Sequence, residues 1–210
     1  VTAFSINLYA ENAAEALTLP VITQDAQHAT ATKRITALFT RGHYNAVQLD
    51  DALSSRMFDT YLKNLDYYRN VLIKADVDGF EPYRDKFDDA INKGNLSFAF
   101  DMFNLTLKRR AERFDYALAL LEQDFDFSRD DQYLYDRENA AWPATTAELN
   151  EIWRQRVKFD ALNLKLAGKK DDEIKTILTK RYRNTQKRLT QTESEDVFQL
   201  VMNSFARSIE

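Results

Sequence analysis

The sequence contains no cysteine, four glycines, three prolines and two histidines in 210 residues. The lack of cysteine excludes disulfides, thiolate metal sites and thiol nucleophiles. Because glycine and proline are so rare, turns are sparse and long helices are expected. No apolar run approaches the roughly 18 residues that a membrane-spanning helix requires, and the longest is YALALL. The scattered glycines cannot form a loop that cradles phosphate.

The remaining composition is that of an ordinary globular protein. Hydrophobic residues make up 44% of the chain and charged residues 30%, and this length supports one core or at most two small ones. The formal net charge of −4 gives the whole chain no electrostatic attraction to nucleic acid or to an anionic membrane. The absence of cysteine suits an oxidising compartment and equally a cytosolic protein.

Apolar spacing predicts an all-α fold, a single irregular multi-helix domain with about seven helices around a long central helix. The central helix is predicted over residues 96–121. One apolar stripe along it consists of Leu96, Phe100, Phe103, Leu107, Phe114, Leu118 and Leu121. A second stripe, nearly opposite, consists of Phe98, Met102, Leu105, Tyr116 and Leu120. A helix that is apolar on two sides is packed from two sides.

Start and stop signals divide the rest of the chain into helices. The first is predicted over residues 25–43, with Ile35, Leu38 and Phe39 as its apolar residues. Asp50 is predicted to cap the second helix, Asp76 to cap a third that runs to Gly94, and Asp171 to open the sixth. Capping boxes are predicted at two further starts, Thr145 with Glu148 and Thr192 with Glu195. The longest irregular stretch, residues 125–143, is rich in aspartate and ends at Pro143.

The two ends of the chain have less regular patterns. Residues 1–16 lack an apolar period and end on Ala14-Glu15-Ala16, which is loosely like the residues before a signal-peptidase cut. They are interpreted as the remnant of a secretory signal or as a disordered leader, and residues 17–210 as the helical domain. The last helix has no stop signal, so we expect either a frayed helix end or a fragment of a longer protein.

Few residues have a pattern typical of catalysis or of metal binding. His28 and His43 are fifteen residues apart and do not form a ligand pair, so surface or capping roles are predicted. Three acidic pairs lack the oxygen-rich, glycine-hinged loop of a cation site and are interpreted as helix starts and solvated faces: Asp88-Asp89, Asp130-Asp131 and Asp171-Asp172. No catalytic, metal-binding or cofactor-binding residue is predicted in this chain.

Two clusters of basic residues remain. Arg109 and Arg110 lie on or beside the apolar stripes of the central helix, which predicts an internal ion pair with a carboxylate. Residues 180–188, KRYRNTQKR, contain five cations and no acid. The candidate interaction surface consists of Lys180, Arg183, Lys187 and Arg188. It is interpreted as a solvated face or a surface for an acidic neighbouring domain; a nucleic-acid stripe beside Tyr182 is the other alternative.

Five segments together carry a family resemblance. They are QDAQHATATKRITALFTRGHY (24–44), LDYYRNVLIKADVDGF (65–80), LKRRAERFDYAL (107–118), WPATTAELNEIWRQRVKFD (142–160) and TESEDVFQLVMNSFARSIE (192–210). In order and spacing the chain from about residue 17 to residue 210 resembles the N-terminal helical region of the bacterial tail-specific proteases. These are carboxyl-terminal processing peptidases of the periplasm.

The resemblance implies a periplasmic protease that degrades or trims proteins with nonpolar C-termini. In that family a PDZ domain reads the tail and a Ser/Lys dyad cleaves, and no motif of either part lies in this chain. The helical region is then expected to dock on the PDZ and protease domains and to offer a surface to a membrane-anchored lipoprotein adaptor. No cofactor, nucleic-acid partner or transmembrane segment is expected. A free-standing helical adaptor is the alternative, and a nucleic-acid-binding domain is the less favoured one.

Overall fold

The computed structural model describes residues 18–42 and 47–209 of the chain. The predicted leader, residues 1–16, and His43 lie outside these ranges. Within them the chain forms eight α-helices and one short 3-10 helix, and no strand. The α-helices are α1 Ala26–Gly42, α2 Asp51–Leu65, α3 Lys74–Phe80, α4 Phe87–Lys93, α5 Ser97–Leu120, α6 Thr146–Leu166, α7 Asp171–Leu189 and α8 Ser194–Ser208. The all-α prediction is therefore confirmed.

The predicted third helix is two helices, which raises the count from seven to eight. A 3-10 turn, Glu81–Tyr83, separates α3 from α4. It contains Pro82, which has no N–H to donate and whose ring collides with the preceding turn of an α-helix. Asp76 was also misplaced, since it is the third residue of α3 rather than its cap, and its carboxylate accepts the N–H of Ile73 at 3.2 Å.

The central helix α5 lies between two hydrophobic cores. In the first core its N-terminal half packs with α2, α4 and α8, and in the second its C-terminal half packs with α6 and α7. Leu96, Phe100 and Phe103 of the first predicted stripe are buried, and so is Met102 of the second. Phe114 is partly buried and packs against both cores. Packing from two sides is thus confirmed.

Helix α1 is attached by apolar and by polar residues. Of its predicted apolar residues, Ile35 and Phe39 are partly buried against the first core. Its buried residues are His28, Thr32 and Thr36, whereas Leu38, predicted as an apolar residue of this helix, is 70% exposed. The hydroxyl of Thr32 donates to the carbonyl of His28 at 2.7 Å, and that of Thr36 donates to the carbonyl of Ile91 on α4 at 3.3 Å. These hydrogen bonds offset the free-energy cost of burying the hydroxyls.

The helix starts follow the predicted chemistry with two shifts. Asp50 accepts the N–H of Leu53 at 2.8 Å, which confirms this cap. Thr145 accepts the N–H of Glu148 at 3.2 Å, but the Glu148 carboxylate reaches the N–H of Ala144 rather than that of Thr145. The box predicted for Thr192 and Glu195 is wrong by one residue. Helix α8 begins at Ser194, and the reciprocal bond joins the N–H of Glu193 to the carboxylate of Asp196 at 2.9 Å.

Gly94 ends α4 as predicted, and its backbone requires glycine. Its φ of 73° lies in the left-handed region, and a Cβ there would lie 2.5 Å from the carbonyl oxygen of Ala29 on α1. The left-handed backbone alone costs an L-residue about 1–2 kcal/mol. We therefore expect Gly94→Ala to lower the free energy of unfolding by more than this amount, measured by urea denaturation.

Gly79 provides the matched control for that substitution. It lies within α3 with no atom within 4 Å of an added Cβ, so Gly79→Ala should leave stability unchanged or raise it by up to about 1 kcal/mol. Equal effects of the two substitutions would show that the close contact between α1 and the end of α4 does not exist in solution.

Candidate interaction surface

The basic face of α7, defined as Lys180, Arg183, Lys187 and Arg188, points outward. All four residues are exposed, and Arg181 beside them is exposed as well. The opposite side of α7 is buried in the second core through Ile174, Leu178, Tyr182 and Leu189. The helix therefore separates an apolar side from a cationic side, as the sequence pattern predicts.

Two hydrogen bonds fix the rotation of α7 about its axis. The hydroxyl of Tyr182 donates to the carboxylate of Asp160 on α6 at 2.6 Å. The side-chain amide of Gln186 donates to the carboxylate of Asp115 on α5, also at 2.6 Å. Burial raises the pKa of Tyr182, so its phenol stays protonated and remains a donor. Because both bonds lie on the inner side, the cations are held on the outer side.

The charges of α7 are segregated along its length. Its acidic residues stand in the first turn, and two of them pair with lysines before the helix: Asp171 with Lys165 at 2.9 Å and Glu173 with Lys169 at 3.8 Å. Within the described ranges, no residue of the basic face forms an ion pair. The arrangement complements the helix dipole, which favours acids at the start and bases at the end.

The basic cluster of α5 finds partners of two kinds. Arg109 forms the predicted ion pair, with its Nη2 2.7 Å from Asp76 Oδ1, and this carboxylate raises the pKa of Arg109. Arg110 departs from the prediction, since it donates to the backbone carbonyl of Leu65 and forms no ion pair with a described carboxylate. Burial lowers the pKa of Arg110, and the negative charge of nearby Asp66 opposes this shift.

His28 has a buried capping role. Its Nδ1 accepts the N–H of Asp25 at 3.3 Å, its Nε2 lies 3.1 Å from the carboxylate of Glu195, and its ring stacks on Phe198 at 4.5 Å. The capping prediction is thus confirmed, while a surface position is wrong because the residue is buried. The contact with Glu195 joins α1 to α8.

The long irregular segment between α5 and α6 is fastened near its start by Asp131. This carboxylate lies 2.7 Å from Arg154 Nη2, 2.6 Å from Lys158 Nζ and 3.1 Å from Arg129 Nε. Hydrogen bonds from Arg154 and Lys158 hold the pKa of Asp131 well below its usual range. The interpretation of Asp130-Asp131 as a solvated pair is therefore wrong for Asp131. The other two pairs lie in the first turns of α4 and α7, as predicted.

The same segment is fastened again near its end. Glu138 accepts from Lys63 and from the hydroxyl of Tyr67, and the bond from Lys63 lowers the pKa of Glu138. The guanidinium of Arg69 donates to the carbonyl of Ala140. The sequence did not reveal either fastening point, because the partners are far away along the chain.

No described part of the chain offers a metal centre or a membrane span. Residues 18–42 and 47–209 contain no group of three or more histidine or acidic side chains that is placed to hold a metal ion. Their helices also include none that is long and apolar enough to cross a bilayer.

Asp131 makes the segment sensitive to acid. Because its pKa is lowered by folding, its stabilising contribution is present above the unfolded-state pKa of about 3.9 and is lost as the pH falls through the lower folded-state pKa. We expect Asp131→Asn to lower the urea unfolding midpoint at pH 7, and the gap to the unmodified chain to shrink below about pH 4.

Asp130→Asn is the control, since Asp130 is exposed and forms no ion pair with a described residue. It should leave the midpoint unchanged at pH 7. A gap for Asp131→Asn that stays constant from pH 7 down to about 3 would mean that charge at this position contributes nothing.

Known proteins match most of this chain. Residues 35–210 match the family described as the tail specific protease N-terminal domain. The tail-specific protease of Haemophilus influenzae is 45% identical over 195 residues, which is 92% of this chain and 28% of the relative. The chain thus spans well under half the length of that relative, and the resemblance seen in the sequence is confirmed. By this match the chain belongs to the family of tail-specific protease N-terminal domains.

Proposed function

We propose that the chain is the non-catalytic docking and scaffold domain of a periplasmic serine-type endopeptidase. This full-length enzyme would degrade or trim proteins with nonpolar C-termini, and its PDZ and Ser/Lys protease domains would lie outside this chain. The observation that carries the proposal is the family match over residues 35–210, together with a relative that is named a tail-specific protease.

The serine hydroxyls support a non-catalytic role. A serine nucleophile needs a base within hydrogen-bonding distance. The hydroxyls of Ser204 and Ser208 instead donate to carbonyls one turn earlier in α8, and that of Ser54 donates to the carbonyl of Arg84. Among the described residues, no serine hydroxyl is hydrogen-bonded to a lysine amine. These serines help to pack helices.

Helix α8 supports a scaffold role. Val197, Val201 and Phe205 are fully buried in the first core, and α8 packs along α2. The carbonyl of Ser208 at its end accepts from Arg56 of α2 at 3.1 Å. Because α8 is packed in place against this domain, it would fix the orientation of a neighbouring domain in the full-length protein.

The basic face of α7 is the surface we assign to docking. Its four cations are exposed and unpaired within the described ranges, and the helix is locked in rotation. An acidic surface of the enzyme's own PDZ or protease domain, or of a membrane-anchored lipoprotein adaptor, has the complementary charge. Protein substrates complete the expected partners.

The proposal that this chain is non-catalytic, and that the full-length protein is the protease, is tested with a tail-tagged unfolded substrate that ends in apolar residues. We expect residues 1–210 alone to cleave nothing, the full-length protein to cleave it, and deletion of this region to abolish or strongly reduce turnover. Turnover by the purified chain that persists after removal of contaminating protease would falsify the assignment.

A second test separates protein docking from nucleic-acid binding. Arg183→Gln with Lys187→Gln should keep the helical circular dichroism and change the free energy of unfolding by less than about 0.5 kcal/mol, because both side chains are exposed. The unmodified chain should bind a random DNA duplex no tighter than about micromolar at physiological salt. Submicromolar binding that the double substitution removes would favour the nucleic-acid alternative.

A further inference from the structure

Exposed aromatic residues concentrate at one place on the surface. Among the described residues, eight large apolar side chains are exposed, and four of them, all aromatic, are joined by ring contacts. These four, the aromatic patch, are Tyr67, Tyr68, Tyr135 and Phe159. Tyr135 is 68% exposed and Leu134 is 55% exposed. Scattered apolar residues need no explanation, but a contiguous patch is typical of an interaction site.

A cavity of about 220 Å³ opens within this patch. Its walls are aromatic rings set at angles to one another: Tyr133 and Phe159 are 5.2 Å apart at 40°, and Tyr133 and Tyr135 are 6.4 Å apart at 89°. Tyr68 lies 6.4 Å from Tyr135 on the other side. Asn70, Arg156 and Asp160 complete the lining.

The segment that carries Tyr133 and Tyr135 is held in place on both sides. Asp131 fastens it to α6, and Glu138 fastens it to α2. Ordering a segment costs conformational entropy for every residue that is fixed. Because the segment is already fixed, a ligand in the cavity does not have to order Tyr133 and Tyr135 when it binds.

The cavity holds one cation, Arg156, and one anion, Asp160, and of the two only the cation lacks a hydrogen-bond partner among the described residues. Arg156 stacks on Trp153 at 4.6 Å, and its guanidinium has no hydrogen bond or ion pair to any described residue. Asp160 carries the opposing charge, and one of its oxygens accepts the hydroxyl of Tyr182. The side-chain amide of Asn70 and the hydroxyl of Tyr135 are unengaged within the described ranges, and each can donate to a carboxylate.

We propose that this cavity binds an acidic side chain of a partner protein, with the partner's neighbouring apolar side chain resting on the exposed ring of Tyr135. Arginine donates to carboxylates in a fork of parallel hydrogen bonds, and tyrosine and arginine are enriched at protein interfaces. A cationic ligand in an aromatic cage is the competing occupant. Such a cation would be attracted by Asp160 and repelled by the unpaired guanidinium of Arg156. The assignment is independent of the protease domains.

The test uses three capped dipeptide probes, acetyl-Phe-Glu-amide, acetyl-Phe-Gln-amide and acetyl-Phe-Lys-amide, titrated into the ¹⁵N-labelled 210-residue chain. The NMR signals to follow are the Nε–H of Arg156 and the side-chain amide of Asn70. We expect the glutamate probe to give saturable shifts at concentrations up to about 10 mM, and to bind at least about tenfold more tightly than the other two.

Charge variants decide between the two occupants. Arg156→Gln should weaken the glutamate probe about tenfold, whereas Asp160→Asn should leave its binding unchanged or strengthen it. Tighter binding of the lysine probe, with loss in Asp160→Asn, would instead establish a cation cage. Equal binding of the glutamate and glutamine probes, or no saturable shift, would also overturn the proposal.

Two further variants keep the test independent of folding. Tyr135→Ala removes an exposed ring and should weaken the glutamate probe several-fold with unchanged circular dichroism; wild-type binding by it would contradict the proposal. Arg181→Gln removes an exposed cation on α7 outside the cavity and should have no effect. An equal loss in Arg181→Gln would reveal unspecific attraction to positive charge.

Discussion

The structure depends on α5 being packed from two sides. The first half of α5 packs in a core with α2, α4 and α8, and its second half packs in a core with α6 and α7. Phe114 packs against both and stands 5.5 Å from Trp153, edge to face. Because the two cores share one rigid rod, the position of α7 relative to α8 is set by the geometry of α5.

Helix α5 carries three arginines in the stretch where the two cores meet. Arg109, Arg110 and Arg113 occupy this stretch of α5, and each donates to a different partner: the carboxylate of Asp76, the carbonyl of Leu65 and the side-chain oxygen of Asn150. The Nε of Arg113 is buried without a hydrogen-bond partner among the described residues. Burial lowers the pKa of Arg110 and of Arg113, whereas ion pairing raises that of Arg109. Charged hydrogen bonds thus join the rod to the last residue of α2, to α3 and to α6.

The parts of this fold that sequence reasoning predicted are those with local causes. Apolar period identified the buried sides of α5, α7 and α8, and the chemistry of Asp50 and Gly94 gave a start and a stop. The break at Pro82 also has a local cause, the missing N–H of proline, although apolar spacing predicted one continuous helix here. The burial of Thr32 and Thr36 has no signal in the local sequence. A threonine is readily buried only when its hydroxyl is hydrogen-bonded, and the carbonyls that accept these hydroxyls are set by the folded structure.

The two candidate surfaces, the basic face and the aromatic cavity, also differ in how far the sequence predicts them, and Asp160 connects them. The exposure of the basic face followed from period, but the aromatic cavity required Asp131 and Glu138 to meet partners on α6 and α2, which no sequence spacing encodes. Asp160 lines that cavity and accepts from Tyr182, whose neighbours on α7 bear the basic face. One of the two hydrogen bonds that fix the rotation of α7 therefore ends in the cavity. Asp160 thus takes part in both surfaces: its carboxylate lines the cavity on α6 and also holds the helix that presents the basic face.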